Sequence, residues 1–158
     1  MNLTFHTPGG IEGESMRIIQ QELDEMGITL DPDCADVVRR AIHTTADFDY
    51  AKNLIFTPGA ASAGAAALRS GTPIVTDTNM ARSGINQKAC TQFGVERFCY
   101  MADPEVAQAA KEHGTTRAVA AVDRWAQEHP NAIFAVGNAP TALLRMCELM
   151  EAGKLRPS

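Results

Sequence analysis

The sequence predicts an α/β fold: a short, mostly parallel sheet in a three-layer arrangement flanked by helices, with two N-terminal helices packed alongside. Two observations predict it. From Asn53 onward, short apolar runs alternate with longer amphipathic or alanine-rich stretches, the pattern of parallel βαβ units with right-handed crossovers. Ahead of that region, two segments carry apolar residues at helical spacing with no strand between them. A chain of 158 residues suits one domain with a sizeable core.

Met1 to Gly10, with Thr7-Pro8-Gly9-Gly10, reads as a loose lead-in. The spacing then predicts a helix from Ile11 to Met26, with Ile11, Ser15, Ile18, Ile19, Leu23 and Met26 on one face and Gly27 as its stop. A second helix has Asp31 as N-cap, Pro32 at its first position and Asp33 at the positive end of its dipole. Its apolar face is Val37, Val38, Ala41 and Ile42, its last turn holds His43, and continuation through Asp47 to Asn53 stays open.

Four strands are expected: Asn53–Thr57, Pro73–Asp77, Val95–Met101 and Ala132–Val136. An alanine-rich helix opens at Pro58-Gly59 and ends at Ser70-Gly71, and a polar turn, Thr78 to Ala81, follows the second strand. A short helix from Gln87 to Phe93 closes at Gly94, and Asp103-Pro104-Glu105 caps one reaching about His113. Another begins at Gly114-Thr115-Thr116 and turns Ala118, Val119, Val122 and Trp125 inward. The last follows Gly137-Asn138-Ala139-Pro140-Thr141, with Asn138 as its N-cap, and ends near Ala152-Gly153.

Composition narrows the function. The net charge of −5 and the lack of a basic stripe argue against nucleic acid. No apolar run approaches a membrane span and no signal-peptide pattern opens the chain, so a cytoplasmic protein is expected. Cys34, Cys90, Cys99 and Cys147 lack metal or redox spacing and read as buried structural thiols. His6, His113 and His129 sit beside turns or helix ends and are expected in solvent. The glycine signatures of nucleotide binding and the serine-nucleophile elbow are absent.

In parallel sheets, ligands bind at the carboxyl ends of the strands, which directs attention to Thr57-Pro58-Gly59, Thr76 to Asn79, Met101 to Asp103 and Gly137 to Thr141. His43 has two readings of about equal weight: a helix-end histidine favoured by the macrodipole, or a proton donor oriented by Asp47 beside the hydroxyls of Thr44 and Thr45. Arg117 works against the dipole at a helix start. Either it binds a ligand carboxylate with Thr115, Thr116 and free N–H groups, or it pairs with Asp123 or Glu112. The turn around Asn138 either is simply well made or brings backbone close to a ligand.

Four segments carry a resemblance: Ile42-His43-Thr44-Thr45-Ala46-Asp47, Pro73 to Ala81, Gly114-Thr115-Thr116-Arg117-Ala118 and Ala135 to Leu143. In unbroken order from Ile11 to Pro157, the sequence resembles the precorrin-8X methylmutase family, whose close relative is the cobalt-precorrin-8 methylmutase of the anaerobic cobalamin pathway. The resemblance implies an isomerase of cobalamin biosynthesis, acting on a tetrapyrrole as a homodimer. It would shift a methyl group between adjacent ring C carbons, giving hydrogenobyrinate or cobyrinate, with His43 as the acid. Such a shift needs no metal or redox cofactor in the protein, and none is expected. A ring bearing many carboxylates calls for cationic and hydroxyl donors, for which Ser15, Arg17, Thr44, Thr78, Arg82, Arg117 and Asn138 are the candidates. The family's C-terminal strand and glycine-rich segment are expected to be missing after Leu155-Arg156-Pro157-Ser158. A corrinoid carrier without catalysis is the rival expectation.

Overall fold

The structure is a computed structural model that describes residues 8–158; His6 and the rest of the expected lead-in before Pro8 lie outside the described residues. The chain forms two compact units, Met1–Ser62 and Ala63–Ser158, each described in its own terms.

The first unit holds α1 (Pro8–Glu25), α2 (Ala35–Thr45) and the single turn α3 (Tyr50–Asn53). Helix α1 starts before the expected Ile11, because a proline in the first turn loses no hydrogen bond. Its inward face is narrower than expected. Ile19 and Leu23 are buried against Val38 and Ile42 of α2, while Ile11, Ile18 and Met26 stay exposed. Gly27, at φ +68°, ends the helix, and the Ile28 N–H turns back to the Leu23 carbonyl at 2.9 Å.

The start of α2 differs from expectation in a way that has a cause. The Asp31 carboxylate accepts from the Asp33 N–H at 2.9 Å and its carbonyl accepts from the Cys34 N–H, so a turn precedes the helix. Asp33 reaches elsewhere, accepting from the Ala61 and Ser62 N–H groups at 3.1 Å each and from the Ser62 hydroxyl. Those donors belong to the first turn of α4 (Ala60–Arg69), which Asp33 therefore caps. The Ser62 hydroxyl, followed by the two backbone donors, holds the Asp33 carboxyl below its usual range.

Helix α2 stops at Ala46, which adopts the left-handed conformation at φ 56°, so it does not continue into α3. The strand expected at Asn53–Thr57 is absent. Its alternating pattern is satisfied otherwise: Leu54 and Phe56 pack into the α1–α2 core while Ile55 is 95% exposed.

The second unit is built on a three-stranded parallel sheet of order β2-β1-β3, with β1 (Ile74–Thr76), β2 (Arg97–Phe98) and β3 (Ile133–Ala135). Three strands are therefore seen among the described residues where four were expected, and the Val95–Met101 strand shrinks to two residues. Register separates the faces. Val75 pairs with Phe98 and Phe134, and this row packs under α7 (Pro104–Glu112), α8 (Arg117–Glu128) and α9 (Pro140–Glu151) with Trp125 and Val122. Ile74 and Ile133 face the other way, toward Leu68 of α4 and Cys90 of α6 (Gln87–Phe93). Helices on both faces give the predicted three layers.

The expected polar turn at Thr78–Ala81 is instead the start of α5 (Asn79–Gly84), capped by the Thr78 hydroxyl, which accepts from the Ala81 N–H at 3.1 Å. Cys34, Cys90 and Cys99 are buried free thiols as expected, whereas Cys147 is exposed on α9. His129 is half-buried, not solvated as expected, because its ring stacks on Phe98 at 4.2 Å. Past α9, Leu155 is buried and the Arg156 and Ser158 N–H groups donate to the Pro130 and Ala132 carbonyls, laying the tail beside the approach to β3.

One polar cluster supports the α7–α8 packing. The Tyr100 hydroxyl donates to Glu128 at 2.7 Å, and the Arg124 guanidinium lies over the Tyr100 ring while pairing with Glu128, Asp103 and Glu105. Burial first, and then the bond to Glu128, push the phenol above its ordinary value near 10. A raised folded value means that its contribution to stability is complete below about pH 10 and fades as pH rises beyond it. Tyr100→Phe is expected to cost about 1–2 kcal/mol at pH 7, and the gap to the parent should close progressively above pH 10 in urea unfolding.

Candidate functional site

In the first unit, Ser15 and Arg17 stand on α1 and His43 and Thr44 on α2. His43 stands on the last turn of α2, directly after the buried Ile42, and its ring is exposed. Its imidazole makes no hydrogen bond among the described residues. The sequence suggested Asp47 as its partner, but the Asp47 carboxylate accepts from the Asp49 N–H at 2.9 Å in the turn leading to α3. The Thr44 and Thr45 hydroxyls donate to the Arg40 and Ala41 carbonyls one turn back, at 2.9 and 2.8 Å. That bonding explains how two threonines are held in a helix end; the Thr45 oxygen in turn accepts from the Asp47 N–H at 3.2 Å, while the Thr44 oxygen keeps its lone pairs as acceptors.

Ser15 is half-buried on α1. Arg17 is exposed and bridged to Glu14 at 2.7 Å, with a further contact to Gln21. It lines an open groove of about 490 Å³ with Met16, Gln20, Asp36, Arg39 and Arg40. Here each arginine already has a carboxylate: Glu14 for Arg17, Asp36 for Arg39, and Glu12 of α1 for Arg40 of α2. A ligand carboxylate would have to compete for these guanidinium groups.

The second unit brings three candidate turns to the carboxyl ends of its strands. The organising group is Asp77, a residue that sequence reasoning passed over although it lies within a quoted motif. It follows β1 and is 2% exposed. One oxygen of its carboxylate accepts from the N–H groups of Gly137, Asn138 and Ala139 at 3.0, 2.7 and 3.2 Å. This neutralises the start of α9, whose cap residue is Ala139 and not the expected Asn138. The main-chain donors of the turn are thus engaged internally, and Asn138 presents an exposed side chain.

Close by in the same layer, the Thr116 and Thr141 hydroxyls approach to 3.4 Å, linking the first turns of α8 and α9. Thr116 caps α8 by accepting from the Val119 N–H at 3.2 Å. Arg117 follows on the exposed first turn. The two partners considered for it are occupied elsewhere, Asp123 by Arg145 and Glu112 by Gln108. Among the described residues Arg117 forms no ion pair, and neither does Arg82 on exposed α5. Arg97 donates to the Arg82 carbonyl, leaving the Arg82 guanidinium itself unengaged. Unpaired exposed cations at a helix start and beside a strand end can take anionic groups.

A larger groove of about 740 Å³ over α8 is lined by Glu105, Asp123, Arg124, Glu128 and Arg145 and holds none of the candidate residues. No group of three or more His, Cys, Asp or Glu side chains among the described residues could hold a metal ion. Among the described residues, no helix is long and apolar enough to cross a membrane.

The sequence model of precorrin-8X methylmutase matches residues 10–158. This chain belongs to the precorrin-8X methylmutase family. It is similar to the cobalt-precorrin-8 methylmutase of Priestia megaterium, 37% identical over 150 residues, or 95% of this chain and 66% of that one. It is also similar to the cobalt-precorrin-8 methylmutase of Salmonella typhimurium, 49% identical over 113 residues, or 71% of this chain and 54% of that one. Among solved structures, the precorrin-8X methylmutase from Thermus thermophilus matches with a TM-score of 0.82 and 40% identity, covering 93% of this chain and 71% of that chain. The chain spans about half to two thirds of the length of these curated relatives.

Proposed function

We propose that this member of the precorrin-8X methylmutase family is an isomerase of cobalamin biosynthesis that moves a methyl group between adjacent ring C carbons of precorrin-8 or cobalt-precorrin-8. The observation that carries the reading is the match to the family over residues 10–158, with His43 exposed on the last turn of α2. The same continuity supports residues 1–158 acting as one functional domain. The products would be hydrogenobyrinate or its cobalt counterpart, cobyrinate.

His43 supplies the proton. Protonation of the conjugated ring makes it electron-poor and lowers the barrier to methyl migration, and the proton is returned once the methyl has moved. Arg82 and Arg117 supply positive charge for ring carboxylates, and Thr78, Thr44, Ser15 and Asn138 supply hydroxyl and amide contacts. Arg17 contributes to the extent that Glu14 releases it. The protein contributes no metal or redox cofactor to this chemistry.

The working form is a homodimer in the cytoplasm. Support for a second copy comes from α9, where Leu143, Cys147 and Met150 form an exposed stripe at helical spacing.

The test is incubation with precorrin-8 and with its cobalt form while the absorption spectrum is followed. Conversion to the product spectrum establishes the enzyme. A second reading is a corrinoid carrier that holds the ring without isomerising it. Ring binding without spectral conversion would select it. Arg117→Ala is expected to weaken ring binding about 5- to 10-fold at low salt, with the difference shrinking as salt screens the lost contact. Equilibrium titration at two salt concentrations measures it, and an unchanged affinity removes Arg117 from the binding set.

A further inference from the structure

We propose that Arg97, together with Arg82, forms a binding site for a carboxylate group in the groove beside α5 and β2. Both residues line one open groove of about 660 Å³, along with Ser83, Asn86 and Gln87. No described Asp or Glu lines it, so its arginines face no fixed negative charge. Arg97 opens the edge strand β2, in register with Ile74 of β1. Its Nη1 donates to the Ile85 carbonyl at 2.8 Å and to the Arg82 carbonyl at 3.3 Å, at the end of α5. The guanidinium is thus anchored through one nitrogen. Its Nε and Nη2 hydrogens remain, and the edge they form matches the two oxygens of a carboxylate.

What sets Arg97 apart is its missing counter-charge. The half-buried arginines among the described residues are Arg39, Arg97, Arg124 and Arg145. Arg39 is paired with Asp36, Arg124 with Asp103, Glu105 and Glu128, and Arg145 with Asp123 and Glu148. Arg97 has no carboxylate among the described residues, and its neighbour Glu96 is exposed and does not line the groove. A half-buried cation has lost part of its hydration, and two carbonyls on one nitrogen replace only part of that loss. An anion on the open edge supplies the rest. Arg82, exposed and without an ion pair, adds a second charge at the same groove. Asn86 uses its Oδ1 to accept from the Ala89 N–H at 3.0 Å, which leaves its amide hydrogens as neutral donors. Two sources carry the ligand chemistry: a carboxylate arm of the ring, which rests on the reading proposed above, or a free small polycarboxylate.

The experiment is a calorimetric titration of the full chain at low salt with citrate and, separately, with hydrogenobyrinate. Arg97→Gln is expected to weaken binding of the probe that occupies the groove about 5- to 10-fold, and Arg97→Lys, which keeps the charge without the planar edge, to restore only part of it. Arg82→Gln is expected to weaken the same probe about 2- to 5-fold. It keeps the main-chain carbonyl that Arg97 uses, so it tests the site with the end of α5 undisturbed. A loss for hydrogenobyrinate identifies a ring arm, and a loss for citrate alone identifies a free polycarboxylate. Unchanged affinity for both probes in Arg97→Gln, or a loss there that Arg82→Gln does not share, would overturn the proposal and leave Arg97 as a cap for α5. Binding of neither probe to the parent would overturn it as well. Conversion of precorrin-8 tests the underlying reading separately. Failed conversion with citrate affinity still lowered in Arg97→Gln would remove that reading and keep the site, and normal conversion with both affinities unchanged would do the reverse.

Discussion

His43→Ala is expected to lower turnover of precorrin-8 about 100- to 10,000-fold while leaving ring affinity within about twofold. That loss corresponds to about 3–5 kcal/mol of transition-state stabilisation, and under the proposed mechanism it should fall on kcat because protonation assists the migration step alone. The structure makes this substitution a clean one. The His43 ring is exposed and bonds to nothing among the described residues, so its removal should change stability by no more than about 0.5 kcal/mol. The neighbouring buried Ile42 keeps the α1–α2 core intact in the variant. Turnover measured under saturating ring, alongside a urea midpoint, separates chemistry from folding. Turnover at the parental rate would remove His43 as the general acid, and a lost affinity with unchanged kcat would make it a binding group instead.

What could be read from the sequence followed the range of the interactions involved. The last turn of α2, the glycine stops at Gly27 and Gly94, and the proline start of α7 depend on neighbours within a turn, and they stand where expected. Asp31 and Asp33 show the limit. Both looked like the opening of one helix, yet Asp33 caps a different helix some 28 residues on, a partner that no local rule could name. The run at Leu54–Thr57 has the alternation of a strand, and alternation fits equally well a chain whose alternate side chains pack on helices with no neighbour to pair. The candidate site divides the same way. His43 and Arg117 announce themselves through helix ends, whereas Thr78, expected in a polar turn, is the cap of α5. Asp77 does not announce itself, because its three partners lie 60 to 62 residues away.

The other large effect is expected at Asp77, on stability. Its buried carboxylate is the common acceptor for three consecutive N–H groups, and its own N–H donates to the Ala135 carbonyl at 3.2 Å. Asp77→Ala keeps the strand bond and removes the acceptor. A bond to a charged acceptor contributes about 1.5–3 kcal/mol, and water can reach the exposed Gly137 and Asn138 to replace part of the loss. A destabilisation of about 2–4 kcal/mol is therefore expected. Asp77→Asn retains one carbonyl oxygen without the charge and should fall about midway between the parent and Asp77→Ala. Asn138→Ala, with an exposed side chain, should stay within about 0.5 kcal/mol. The single tryptophan, Trp125, reports on this unit directly, being 1% exposed and stacked on Phe134 of β3. Urea unfolding followed by Trp125 fluorescence ranks the three variants. A loss in Asp77→Ala no larger than that in Asn138→Ala would mean that solvent replaces the carboxylate fully and that the turn is held by the packing of α9 alone. The expected ranking would instead make Asp77 the link through which the end of β1 sets the position of Asn138.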